Sequence, residues 1–143
     1  MRPVEEASEQ QTAPTPSLRL ELPRDARAPA IARAAVGGLC HEPDLIPPQY
    51  QTLMLLVSEV VSNAVLHSTG PADVPILLAA TVADKMIRIA VSDAGPGFSR
   101  GTPRDAARGE GGYGLYLVNK AASRWGVDEL DGTRVWFELP LAS

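Results

Sequence analysis

The sequence predicts an α+β domain: a two-layer α/β sandwich with about five strands in one mixed sheet and three helices covering one face. Three observations carry this. Leu18-Arg19-Leu20-Glu21-Leu22 alternates apolar and polar residues with period two, as a half-buried strand does. The stretch LMLLVSEVVSNAVLH, residues 53–67, fits a helix that lies against a sheet on most of its circumference. Tight turns at Ala83-Asp84-Lys85 and Asp131-Gly132 join strand to strand in the middle and near the end of the chain.

A chain of 143 residues, 45% of them hydrophobic, fits one folded domain with a substantial core. The net charge of −4 gives no basis for electrostatic attraction to nucleic acid or to an anionic membrane, so neither is expected as a partner. The single cysteine, Cys40, rules out an internal disulfide and suits a reducing compartment. The longest apolar run, residues 74–83, is too short to span a bilayer, and the N-terminus lacks the apolar core of a signal segment. The expectation is a soluble, cytoplasmic protein.

Element by element, residues 1–17 carry Glu, Gln, Ser, Thr and Pro with few large apolar side chains. Burial cannot offset the ordering entropy of such a segment, so a flexible tail is expected, with the domain over 18–143. Leu18–Leu22 is the first strand, ended by Pro23, and Asp25 is placed to cap an Ala-rich helix over 26–39. Pro43, Pro47 and Pro48 separate that helix from a second one over 49–67. Strands follow over 74–82 and 86–92, then a glycine stretch and a polar loop over 99–110. A third helix is expected over 113–124, and a closing pair of strands over 127–130 and 133–139.

Chemistry concentrates at three places. Glu59, Asn63 and His67 recur every four residues on the second helix, along one slowly drifting stripe. Alone, they are as well explained by a solvated polar stripe. However, Glu and Asn oxygens suit magnesium and a water, and no Lys or Arg accompanies them. Val91-Ser92-Asp93-Ala94-Gly95-Pro96-Gly97-Phe98 puts a carboxylate at the end of an apolar run and two glycines just beyond it. A surface turn does this, and so does a site where a ligand approaches the backbone closely. Finally, Gly109-Glu110-Gly111-Gly112-Tyr113-Gly114-Leu115 opens the third helix. It is either a hinge or a set of free N–H groups facing an anion at the positive end of the helix dipole.

In this order SEVVSN, SDAGPGF and GGYGLYLVNK, closed by DGTRVWFELP, resemble the motifs of the GHKL ATPases, the Bergerat-fold superfamily of gyrase, heat-shock chaperones and histidine kinases. The resemblance covers residues 18–140. It implies ATP and Mg²⁺ as cofactors. It implies that Asp93 accepts a hydrogen bond from the adenine amino group while Gly95 and Gly97 let the chain pass close to base and sugar. Asn63 would hold Mg²⁺, and Glu59 would orient or deprotonate the attacking group. Gly112 and Gly114, with Leu115 beside them, would present backbone N–H groups to the phosphates, and Thr133 would support the adenine pocket. Arg100, Arg104 and Arg108 fall in the segment that would close over ATP. Each reads as ordinary loop charge or as the group that meets the terminal phosphate, and Arg104 stands as the candidate.

Gyrase and chaperone relatives carry long insertions for which this chain has no room, and His41-Glu42 lies in a proline-broken loop rather than on a histidine kinase's helical hairpin. NAVLHS and GLYLVNKAASRWGV are instead similar to the compact anti-sigma factor kinases. That likeness implies a serine/threonine kinase of an anti-anti-sigma (STAS) protein that also binds a sigma factor and acts as a homodimer. The strand Leu18–Leu22, at a sheet edge, could pair with another chain. Two other readings compete. One is an ATP-binding regulatory module without phosphotransfer. The other takes VSDAGPGF as the glycine loop of a Rossmann-like enzyme, which wants a helix directly after the glycines where this chain has a polar loop.

Overall fold

The computed structural model describes residues 17–39, 47–67, 74–93, 115–130 and 132–141. Their elements are β1 (Leu18–Leu22), α1 (Ala28–Leu39), α2 (Pro47–His67), β2 (Ile76–Ala83), β3 (Met86–Ser92), α3 (Tyr116–Ala121), β4 (Arg124–Leu130) and β5 (Gly132–Pro140). The strands form one five-stranded sheet in the order β1-β2-β3-β5-β4, with β1 and β4 as its edges. The α+β class, the five strands and the three helices stand as expected. The sheet is not mixed, because every neighbouring pair is antiparallel. β3 and β4 do run in the same direction, joined by a crossover through α3, but β5 folds back between them and pairs with both.

Alternation sends one set of side chains to the helices. Leu22, Ile76, Leu78, Ala80, Ile87, Ile89, Val91, Val135 and Phe137 are buried there. They meet Ala28, Ala32 and Val36 of α1 and Leu53, Leu56, Val57, Val60, Val61 and Ala64 of α2 in one core. The helix spacing of these positions gives each helix its apolar stripe. The helix that Asp25 is expected to cap at residue 26 starts instead at Ala28, with the Arg27 carbonyl accepting from the Ile31 N–H. Asp25 stabilises the turn just before it, its Oδ1 accepting the Arg27 backbone N–H at 2.9 Å. Its carboxylate also holds the Arg27 guanidinium, with Nη2 to Oδ2 at 2.8 Å. Those bonds, the side-chain one first, keep the Asp25 carboxyl at about 2. Ser17 already joins the sheet, its N–H donating to the Ala80 carbonyl at 2.7 Å; the expected tail before it lies outside the described residues.

Several boundaries differ from expectation by a residue or two. Among them is that of α2, which opens at Pro47 and takes in two prolines expected to precede it. The end of the third helix and the start of β4 differ by three. The third helix ends at Ala121, because Ala122 turns to extended backbone at φ −78° and ψ 148° while still donating to the Val118 carbonyl. Arg124 therefore opens β4, three residues earlier than expected, and pairs with Glu138. β2 and β3 are joined through Asp84 and Lys85, both left-handed at φ 55° and 62°. That geometry belongs to the two-residue turn that matches strand twist, and it strains a side-chain-bearing residue. Lys85→Gly is expected to stabilise the protein by about 0.5–1 kcal/mol in urea unfolding. Unchanged or lowered stability would show that the turn is not strained.

Candidate functional site

Three polar or charged side chains are buried among the described residues: Asn63, Asp93 and Thr133. All three are candidates from the sequence. Burying a polar group costs free energy unless something satisfies it, so such positions call for a reason.

Asp93 follows β3 directly and donates its backbone N–H to the Thr133 carbonyl at 3.0 Å. This continues the β3–β5 ladder beyond the pair Ser92 and Arg134, so the two residues lie opposite each other. Ser92 and Arg134 turn to the open face of the sheet, whereas Asp93 and Thr133 turn inward under the helices. Asp93 is 6% and Thr133 1% exposed. The Thr133 hydroxyl is cut off from water and has no hydrogen-bond partner among the described residues. Gly132 just before it has φ 100°, the left-handed backbone that glycine alone adopts freely, and this turns the chain into β5.

Asn63 and Glu59 share one side of α2. The Asn63 Nδ2 donates to the Glu59 backbone carbonyl at 2.7 Å, which fixes the amide and leaves Oδ1 as the free acceptor. Glu59 is half-buried and Asn63 buried, so the pair is not a solvated stripe. His67 is half-buried at the end of the same helix. A neutral amide oxygen beside a carboxylate suits a magnesium ion that keeps most of its waters and takes other ligands from phosphate. Among the described residues no group of three or more His, Cys, Asp or Glu side chains is placed to hold a metal ion.

Leu115 is 1% exposed and sits in the core at the start of α3, so its side chain anchors the helix at the point where the glycine stretch enters. Gly95, Gly97, Arg104, Gly112 and Gly114 lie outside the described residues, as do Arg100 and Arg108. The described part thus brings together Asp93 with Thr133, and Glu59 with Asn63. No helix among the described residues is long and apolar enough to cross a membrane.

A family model for the histidine kinase-like ATPase domain matches residues 22–139, and the chain belongs to that family. An ATPase domain takes ATP as its ligand. Comparison with curated proteins gives no match. Among solved structures the chain is similar to the RsbU and RsbW domains of Rv1364c from Mycobacterium tuberculosis. The TM-score is 0.69 and the identity 24%, over 92% of this chain and 34% of that one. It therefore spans about a third of that chain's length, and the likeness is one of fold.

Proposed function

We propose that the protein is an ATP- and Mg²⁺-dependent serine/threonine kinase of the anti-sigma factor type. In this reading it phosphorylates a STAS-type anti-anti-sigma protein and regulates a sigma factor by exchanging partners. The observation that carries the reading is the identity of the buried polar trio Asn63, Asp93 and Thr133. An acceptor for an amino group and a nearby orphan hydroxyl suit adenine, and a fixed amide oxygen suits a phosphate-bound magnesium. The likeness in fold to a structure that contains an RsbW domain supports the choice of branch.

Asp93 would accept from the adenine amino group, with Thr133 supplying a further polar contact to the base. Asn63 would hold Mg²⁺, which when bound neutralises phosphate charge. Glu59 would take the proton of the acceptor hydroxyl as its oxygen bonds to the γ-phosphorus and the bond to ADP breaks. Gly95 and Gly97 would pass close to the base and sugar, Gly112 and Gly114 would face the phosphates, and Arg104 would meet the terminal one.

The test is incubation with labelled ATP, Mg²⁺ and candidate STAS proteins. Label is expected on a serine or threonine of one of them, with Asn63→Ala losing Mg²⁺-dependent binding and transfer together. ATP binding with no phosphorylation of any STAS partner would favour the second reading, a regulatory module without phosphotransfer.

A further inference from the structure

α2 carries an outer ridge that its neighbours in the fold leave exposed. Leu55 is 47% and Leu66 76% exposed, and Ser62 between them is exposed as well. At about 100° per residue the three fall within about 40° of one another around the helix, with Leu55 and Leu66 about 16 Å apart along its axis. The other sides of α2 are taken. Ser58 faces α1, where its Oγ accepts from Arg33 Nη1 at 2.8 Å. Thr52 lines a groove of about 230 Å³ together with Ala121 of α3. Leu53, Leu56, Val57, Val60 and Ala64 face the core.

A helix whose outer side meets water ordinarily carries charge there. This one does not. Its 21 residues include no Lys, Arg or Asp, and Glu59 is the single acidic side chain. Glu59 stands about 40° from Leu55 and about 20° from Leu66, one turn after the first and two turns before the second. The apolar ridge therefore runs directly past the carboxylate.

We propose that this ridge is where the phosphoacceptor protein docks, an uncharged apolar patch around its serine or threonine covering Leu55 and Leu66 while Glu59 meets the hydroxyl. The inference rests on the kinase reading above, in which Glu59 takes the acceptor proton, and that reading says what covers the ridge. A general base acts within hydrogen-bond reach of its hydroxyl, so the acceptor protein must touch α2 at residue 59. A standard interface buries about 800 Å² on each partner, a patch roughly 16 Å in radius. Leu55 lies about 6 Å and Leu66 about 10 Å from Glu59 along the axis, so both fall inside the contact. The centre of such an interface is apolar and poor in charge, as this ridge is. The substrate class follows from the same chemistry: a folded protein whose acceptor residue sits in an apolar surface, rather than an acidic or basic peptide.

The test compares Leu55→Gln, Leu66→Gln and the double variant with the wild type, using the STAS protein that the wild type labels. Glutamine removes the apolar contact, adds no charge near Glu59 and suits a helix. The KM for the acceptor is expected to rise on the order of tenfold for each variant and about a hundredfold for both, since the two positions are far enough apart to act independently. The kcat of the single variants at saturating acceptor, and ATP affinity in calorimetry, are expected to stay at wild-type values, which a merely structural role would not allow. Leu66→Met is expected to keep the acceptor KM. Folded glutamine variants with the wild-type acceptor KM overturn the docking and leave the kinase reading standing. A fall in kcat with an unmoved KM does the same. So does a change in the sedimentation of the kinase alone with the acceptor KM unmoved, which would give the ridge to a second copy. A wild type that labels no STAS protein overturns the kinase reading, and the docking with it.

Discussion

Glu59→Ala is expected to bind ATP almost as the wild type does and to transfer its phosphate 10²–10⁴ times more slowly, the usual loss for a missing general base. The separation follows from position. Glu59 precedes Asn63 by one helical turn, and what Asn63 takes from residue 59 is its backbone carbonyl, at 2.7 Å. Alanine keeps that carbonyl and favours the helix, so the amide stays aimed and the ion it would hold is expected to be unaffected. Only the carboxylate is lost. Glu59→Gln keeps the shape and some hydrogen bonding but accepts no proton, and is expected to resemble Glu59→Ala in rate. Quench-flow of phosphotransfer alongside equilibrium ATP binding separates the two quantities. A Glu59→Ala protein that phosphorylates its partner at the wild-type rate assigns the proton to some other group.

Asp93→Asn is expected to act on the other half of the site. The side chain is 6% exposed, so whatever it contacts is largely shielded from water. The amide fits the same space and keeps the backbone bond to Thr133, so the fold is expected to survive. What changes is polarity: an amide can present N–H where the adenine amino group needs an acceptor. A buried donor left unmatched costs about 1–3 kcal/mol, or roughly tenfold to a hundredfold in affinity. Equal ATP affinities for the two proteins in calorimetry would remove Asp93 from the base pocket. Thr133→Val, which removes a hydroxyl that has no partner among the described residues, would then be expected to matter only if nucleotide reaches it.

How much of this is legible in the sequence depends on the kind of signal. Leu18–Leu22 reads as a strand because its period-two pattern records which face is buried, and the structure places it as an edge strand. The long helix is legible for the same reason, through Leu53, Leu56, Val60 and Ala64 at helical spacing. Strand direction leaves no such trace. Nothing in Arg124–Leu130 says that β5 will insert between it and β3, so the sequence suggests a mixed sheet where an antiparallel one is found. The start of β4 escapes notice because Arg124, Trp125 and Gly126 lack apolar alternation. Gly126 is there to admit the Trp136 ring, a contact with a residue ten positions later. In the site, residue type and order point to Asn63, Asp93 and Thr133, but their burial comes only from the fold. The charges of the open face leave no sequence signal either, since only the register of four strands places Glu21 and Arg134 in one row.

The central claim is that Asp93 reads adenine in a nucleotide site, and base selectivity tests it most directly. Adenine presents an amino group where guanine presents a carbonyl oxygen, which a carboxylate repels. Titration calorimetry with Mg²⁺ is expected to show ATP bound at least about tenfold more tightly than GTP, the loss expected for one unmatched buried group. The preference is expected to shrink in Asp93→Asn, whose amide can donate to the guanine oxygen. Equal affinity of the wild type for ATP and GTP, or no binding of ATP at all, would contradict the account.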